Sequence, residues 1–154
     1  QKSIPDEHIF FCENSAVNAI LSYFSGQART FGITYTVSAS IPKHISISET
    51  DLSILFGNLL ENAIDACNAQ SGEDKKIIVR AKTDDHSLCV TIDNTFSGSL
   101  DIDQEGHFVS SKHEGLGLGT ESIKSIAEKY GGVCQFEADN GMFYASVMCF
   151  KDHA

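Results

Sequence analysis

Apolar residues along this chain recur at two spacings, and the switches between them outline the elements. From about residue 14 to 31 they fall at Val17, Ile20, Leu21, Phe24, Ala28 and Phe31. That three-to-four spacing predicts an amphipathic helix, which Gly32 is placed to close. ITYTVSA (33–39) then alternates with a period of two, as a half-buried strand does. IPKHISIS (41–48) reads as a turn and a short second strand. Ser48, with Asp51 three residues on, marks a helix start in the manner of a capping box. The run that follows, LSILFGNLLENAIDACN (52–68), is the strongest helical pattern in the chain. Leu52, Leu55, Leu59, Ile64 and Cys67, with Phe56, Leu60 and Ala63, make the broad apolar face of a core helix. Beyond a hydrophilic turn (68–76), IIVRAKT and SLCVTID predict a hairpin around Asp84-Asp85-His86. Residues 94–114 are rich in Gly, Ser and charge without periodicity, the character of a functional or mobile loop. GLGLGTESIKSIAEKYGG (115–132) predicts a glycine-rich turn entering a helix that stops at Gly131-Gly132. GVCQFEA and MFYASVMCF close the chain as a hairpin on Asn140-Gly141, a favoured two-residue turn.

The central helix carries a polar stripe that its fold does not require. Asn58, Asn62 and Asp65 stand at i, i+4 and i+7, so at ~100° per residue they share an arc of roughly 60°. Asn is a mediocre helix former because its amide competes for backbone hydrogen bonds. The stripe is read as a solvated face, or as oxygen ligands turned toward a hard cation such as Mg²⁺.

Composition narrows the choice. With 154 residues, 16.7 kDa and 42% hydrophobic residues, the chain is long enough for one domain with a substantial core, and alternating patterns make it α/β. A net charge of −10 without a basic cluster excludes ordinary nucleic-acid binding. The same field repels phosphates, so an anion site needs local donors and a metal. Five dispersed cysteines with no CxxC pair predict reduced buried thiols, neither a zinc site nor a disulfide framework. No apolar run reaches membrane-spanning length. Gln1 in place of Met reads as the start of a fragment, with residues 1–13 a lead-in from an upstream helical domain, 14–150 the domain, and 151–154 a tail.

Two further signals add to the stripe. Gly115, Gly117 and Gly119 immediately precede a helix, where alternate glycines admit an anion to free N–H groups and the positive dipole end. By themselves they also fit a flexible hinge. The strand CVTI runs into Asp93, Asn94, Thr95, Phe96, Ser97 and Gly98, where a polar pair either floors a pocket or merely ends the strand.

The order of these parts resembles the GHKL ATP-binding superfamily over about residues 14–150. NLLENAIDA is similar to its Asn-bearing box, with Asn62 at the magnesium-ligand position. GLGLGTESIKSIAEKYGG is similar to its second glycine box. The resemblance is closest to sensor histidine kinases of the peptide quorum-sensing type. It implies a two-layer α/β sandwich of the Bergerat type, a mixed, mostly antiparallel sheet on three helices, with ATP beneath a mobile lid over about 99–114. It also implies ATP and Mg²⁺ as ligands, with Asn58, Asn62, Asp65, Asp93, Asn94, Gly98, Lys112, Gly115, Leu116, Gly117, Leu118, Gly119 and Thr120 at the nucleotide and Asn62 on the metal. Thr120 is placed either to cap the last helix or to touch phosphate; Lys112 and His113 precede the glycines.

Departures from the pattern matter. Where hydrolysing members carry a Glu four residues before the metal-binding Asn, this chain has Asn58, and an amide cannot accept a proton at neutral pH. Transfer to a nucleophile on another domain fits better than hydrolysis. Strand parity puts Val90 and Ile92 inward, so the next inward residue is Asn94 rather than Asp93. Asn94 is therefore the expected adenine contact, with Asp93 second. Phe96 stands where the family's first glycine would be. The implied protein is a dimeric, membrane-anchored bacterial receptor whose cytoplasmic catalytic domain is seen here. It would phosphorylate a His on its own dimerisation domain and, through it, a response regulator. A serine kinase of the same superfamily and a degenerate nucleotide-binding module are the alternatives.

Overall fold

In the computed structural model, which describes residues 9–97, 101–102, 108–109 and 114–151, five strands form one sheet in the order β1-β2-β3-β7-β6. These are β1 (Thr34–Ser40), β2 (Lys76–Thr83), β3 (Ser87–Thr95), β6 (Val133–Asp139) and β7 (Met142–Phe150). β1 runs parallel to β2, and every other pairing is antiparallel. Helices α1 (Ser15–Thr30), α2 (Glu49–Asn68) and α3 (Glu114–Lys129) complete the fold, with α2 in contact with both others and with the sheet. This is the expected two-layer α/β sandwich.

Side-chain alternation explains why one face of the sheet is covered. Ile77, Val79 and Ala81 of β2, Leu88, Val90 and Ile92 of β3, and Phe143, Ala145, Val147 and Cys149 of β7 are all buried. Their neighbours on the other face, such as Arg80, Lys82, Tyr144 and Ser146, are exposed. α2 supplies the opposing layer through Leu52, Leu55, Phe56, Leu59, Leu60, Ala63 and Cys67. Burying a side chain like Phe56 contributes about 2–3 kcal/mol.

The ends are built as the sequence suggests. Asn14 caps α1 by accepting from Val17 N–H at 3.1 Å, while its own amide donates to the Pro42 carbonyl at 3.2 Å. Past Thr30, Gly32 takes φ +70° and the Ile33 N–H reaches back to the Ala28 carbonyl at 2.8 Å, a Schellman closure. Asn140 and Gly141 hold φ values of 52° and 81°, both positive as a type I′ hairpin turn demands.

Three expectations need correction. Residues 41–48 contain no strand; Ile41 and Ile47 are buried, but Pro42 lacks a donor and the segment crosses to α2 as an irregular connection. The stretch 94–114 is not wholly structureless, because β4 (Asp101–Ile102) pairs with β5 (Phe108–Val109). Third, the glycines are not a turn ahead of the last helix: α3 begins at Glu114 and takes Gly115, Gly117 and Gly119 into its first two turns. Gly is a poor helix former, yet nothing forbids it helical dihedrals, and the buried Ile123, Ile126 and Ala127 anchor the helix that extends back through it.

All five cysteines are free thiols. Burial raises the pKa of Cys12, Cys67 and Cys134, and pushes Cys149 up to about 11.

Candidate nucleotide site between α2 and α3

α2 presents its polar stripe toward α3. Asn58 bends its amide nitrogen back to the Ile54 carbonyl at 2.9 Å, which turns its oxygen outward. A Cβ built on Gly119 would lie 3.3 Å from that oxygen and 3.4 Å from Oδ1 of Asn62. Two carboxamide oxygens one helical turn apart thus converge on a backbone with no side chain. The stripe and the third glycine, 57 residues from Asn62 in sequence, meet at one place. Asn58, Asn62 and Asp65 are all half-buried, so they stand at the edge of the α2 packing face rather than in the core. Thr120 is buried at 3% exposure and lies in the second turn of α3, so it does not cap the helix.

The chemistry of the donors fits a magnesium–phosphate ligand. Neutral carboxamide oxygens suit a hard cation, and Mg²⁺ ordinarily takes few protein ligands and completes its shell with water and phosphate oxygens. Among the described residues there is no cluster of three His, Cys, Asp or Glu that could hold a metal. Gly115 and Gly117 lie in the first turns of α3, whose N-terminal end carries unpaired N–H groups and a partial positive charge. That end can attract an anion even in a chain of net charge −10.

At the end of β3 the strand parity holds. Asn94 is buried at 2% exposure beneath Ile92 and Val90. Its Nδ2 donates to the Thr95 carbonyl at 2.9 Å, which fixes the amide and aims its oxygen the other way. Asp93 points to the opposite face and pairs with Arg80 at 3.2 Å. Thr95 ties this strand end to the end of α2: its hydroxyl donates to Oε1 of Gln70 at 2.7 Å and accepts from Lys76 N–H at 3.0 Å. Sequence reasoning missed Gln70 and Thr95, and no motif marks them. Gly98, Lys112 and His113 lie outside the described residues.

Residues 47–149, about two thirds of the chain, match the family model described as the GHKL domain. The chain belongs to the GHKL family. Among relatives, a probable C4-dicarboxylate sensor kinase of Bacillus subtilis (strain 168) is 25% identical over 138 residues, 84% of this chain. The chain spans 25% of that protein's length. Solved structures share the fold. The nucleotide-free catalytic domain of histidine kinase ThkA superposes with a TM-score of 0.70 at 20% identity, covering 90% of this chain and 91% of that one. Histidine kinase ThkA in complex with response regulator protein TrrA gives 0.66 at 21% identity, over 92% of this chain and 41% of the other. In this GHKL domain the Asn58 and Asn62 oxygens meet Gly119 between α2 and α3, and Asn94 is buried at the end of β3. Among the described residues no helix is long and apolar enough to cross a membrane.

Proposed function

We propose that this GHKL domain, taken as residues 14–150, is the catalytic unit of a sensor histidine kinase. It binds Mg·ATP between α2 and α3 and passes the γ-phosphoryl group to a His on a separate dimerisation domain. The observation that carries the reading is the convergence of the Asn58 and Asn62 oxygens on Gly119. A bound magnesium ion would neutralise phosphate charge; Asn62 would hold it, with Asn58 and Asp65 on the same stripe. The Asn94 amide oxygen would accept from the exocyclic amine of adenine, since its nitrogen is already committed to Thr95. Gly115, Leu116 and Gly117, in the first turn of α3, would bring free backbone N–H groups to the phosphates. Leu118, Gly119 and Thr120, one turn further on, would give the nucleotide room beside the Asn stripe, with Lys112 as a further cation and Gly98 in the loop beyond Asn94.

The side chains derive most of their effect from position. Asn58 stands where a base for water would be needed and cannot take a proton, so the site favours transfer over hydrolysis. Catalysis by such a site is orientation and charge neutralisation. The naming of the Bacillus relative as a sensor kinase and the ThkA–TrrA complex support a response regulator downstream; the His acceptor in the same protein and the membrane-bound, dimeric receptor rest on the sequence resemblance. The closer likeness to quorum-sensing receptors rests on the sequence motifs.

The test is phosphotransfer in trans. Residues 1–154 with γ-labelled Mg·ATP should release phosphate slowly alone, and should label a separately expressed acceptor hairpin with an acid-labile, alkali-stable phosphohistidine. Fast hydrolysis without acceptor, or labelling of Ser, would overturn the assignment.

A further inference from the structure

The approach of Gly119 to Asn58 and Asn62 is made near one end of α3, and a second, tighter contact with α2 lies at the other end of the helix. Asp51, 7% exposed, accepts from Lys129 Nζ at 2.8 Å and from the Tyr130 hydroxyl at 2.5 Å. The Tyr130 oxygen in turn accepts from the Ser48 N–H at 3.3 Å, so it takes over one of the orphan donors at the start of α2. Next to this cluster α3 is stopped rigidly. Gly131 has φ +71°, and the Gly132 N–H closes on the Ala127 carbonyl at 2.8 Å. A Cβ on Gly132 would collide with the Met148 carbonyl, and Phe150 N–H bonds the Tyr130 carbonyl at 3.0 Å.

The two helices run antiparallel with matched spans. Asp51 to Asn62 is 11 residues and Gly119 to Tyr130 is 11 residues, so each span is about 16 Å of helix. Fixing Tyr130 opposite Asp51 therefore sets Gly119 opposite Asn62. The N-terminal end of α3 cannot seat itself as firmly, because three of its first six residues are glycine, each weaker than Ala by about 1 kcal/mol in a helix.

We propose that Asp51, Tyr130 and Lys129 form a register clamp that positions Gly119 against Asn58 and Asn62, making Asp51 and Tyr130 positioning residues for the nucleotide site from three helical turns away. This rests on the nucleotide reading above only for its functional consequence. Tyr130→Phe keeps the ring and removes the hydroxyl; Asp51→Asn keeps an acceptor for Tyr130 and removes the charge facing Lys129. Ile33→Val, at the α1–β1 junction, is the control for simple loss of stability.

Two measurements test it. In nitrogen–proton spectra without nucleotide, Tyr130→Phe should shift the Gly119 amide and the Asn58 and Asn62 side-chain amides, and Ile33→Val should not. In titrations with a fluorescent ATP analogue and magnesium, Tyr130→Phe should weaken binding about 3- to 30-fold, with Asp51→Asn less affected and Ile33→Val unchanged. Unmoved Gly119, Asn58 and Asn62 signals overturn the clamp, as does an affinity equal to the wild type's when those signals move. A wild type that binds no nucleotide refutes the function proposed above, and the spectra then decide the clamp alone.

Discussion

Replacing Gly119 by Ala separates what the site costs from what it does. In an ordinary helix interior the change would stabilise by about 0.8–1.0 kcal/mol, worth about 2–4 °C in a domain of this size. Here the new methyl would stand 3.3 Å from the Asn58 oxygen, 3.4 Å from the Asn62 oxygen and 3.7 Å from the Asn58 Cγ. The first is tight for a carbon and the second is at the edge of ordinary contact, so the Asn58 amide must give by a few tenths of an ångström. Half-buried side chains can make that adjustment, so the domain should fold with stability unchanged or raised by up to about 1 kcal/mol. The methyl nevertheless occupies the space onto which both oxygens converge. Binding of Mg·ATP should fall by at least about tenfold, the equivalent of 1.4 kcal/mol. Thermal melts and a fluorescent-nucleotide titration on the same protein read the two effects, which should have opposite signs. Wild-type affinity in Gly119→Ala would refute the placement of phosphate and metal between α2 and α3.

Two other perturbations address separate parts of the structure. Asn94→Leu, at the buried position under Ile92, should weaken adenine nucleotides by about 1–3 kcal/mol, the cost of an unmet polar group; Asp93→Asn, on the other face, should leave affinity unchanged in the same titration. Hydrogen bonds from Lys129 and Tyr130 hold the Asp51 carboxyl below the usual carboxylate range. The unfolded chain therefore takes up this proton first as pH falls, and the stabilisation is present above about pH 4 and lost below it. Urea denaturation at pH 7 and pH 3 should show a drop that Asp51→Asn reduces; an equal drop in both proteins would refute the link.

Much of the candidate site's geometry was legible because it depends on local periodicity. The α2 pattern placed Asn58, Asn62 and Asp65 on one stripe, and strand parity separated Asn94 from Asp93, because both follow from fixed repeats of 3.6 and 2. Residues 41–48 misled for the same reason: alternating Ile45 and Ile47 imitate a strand where the burial belongs to a crossing segment. The glycines of α3 read locally as a turn, whereas the helix is propagated from apolar residues further on. The Asp51–Tyr130 contact joins residues 79 apart, and the Thr95–Gln70 bond joins residues 25 apart. Such pairings depend on how helices and strands pack, which residue spacing does not encode.

The central claim is that the Asn stripe of α2 holds a magnesium-bound nucleotide. Its most direct test is a titration of the domain with a fluorescent ATP analogue, with Mg²⁺ and with chelator, in the wild type and in Asn62→Ala. The wild type should bind in a magnesium-dependent way. Asn62→Ala should lose that dependence while keeping its melting transition, because Asn62 is half-buried and outside the core. Equal, magnesium-dependent affinity in both proteins would contradict the account.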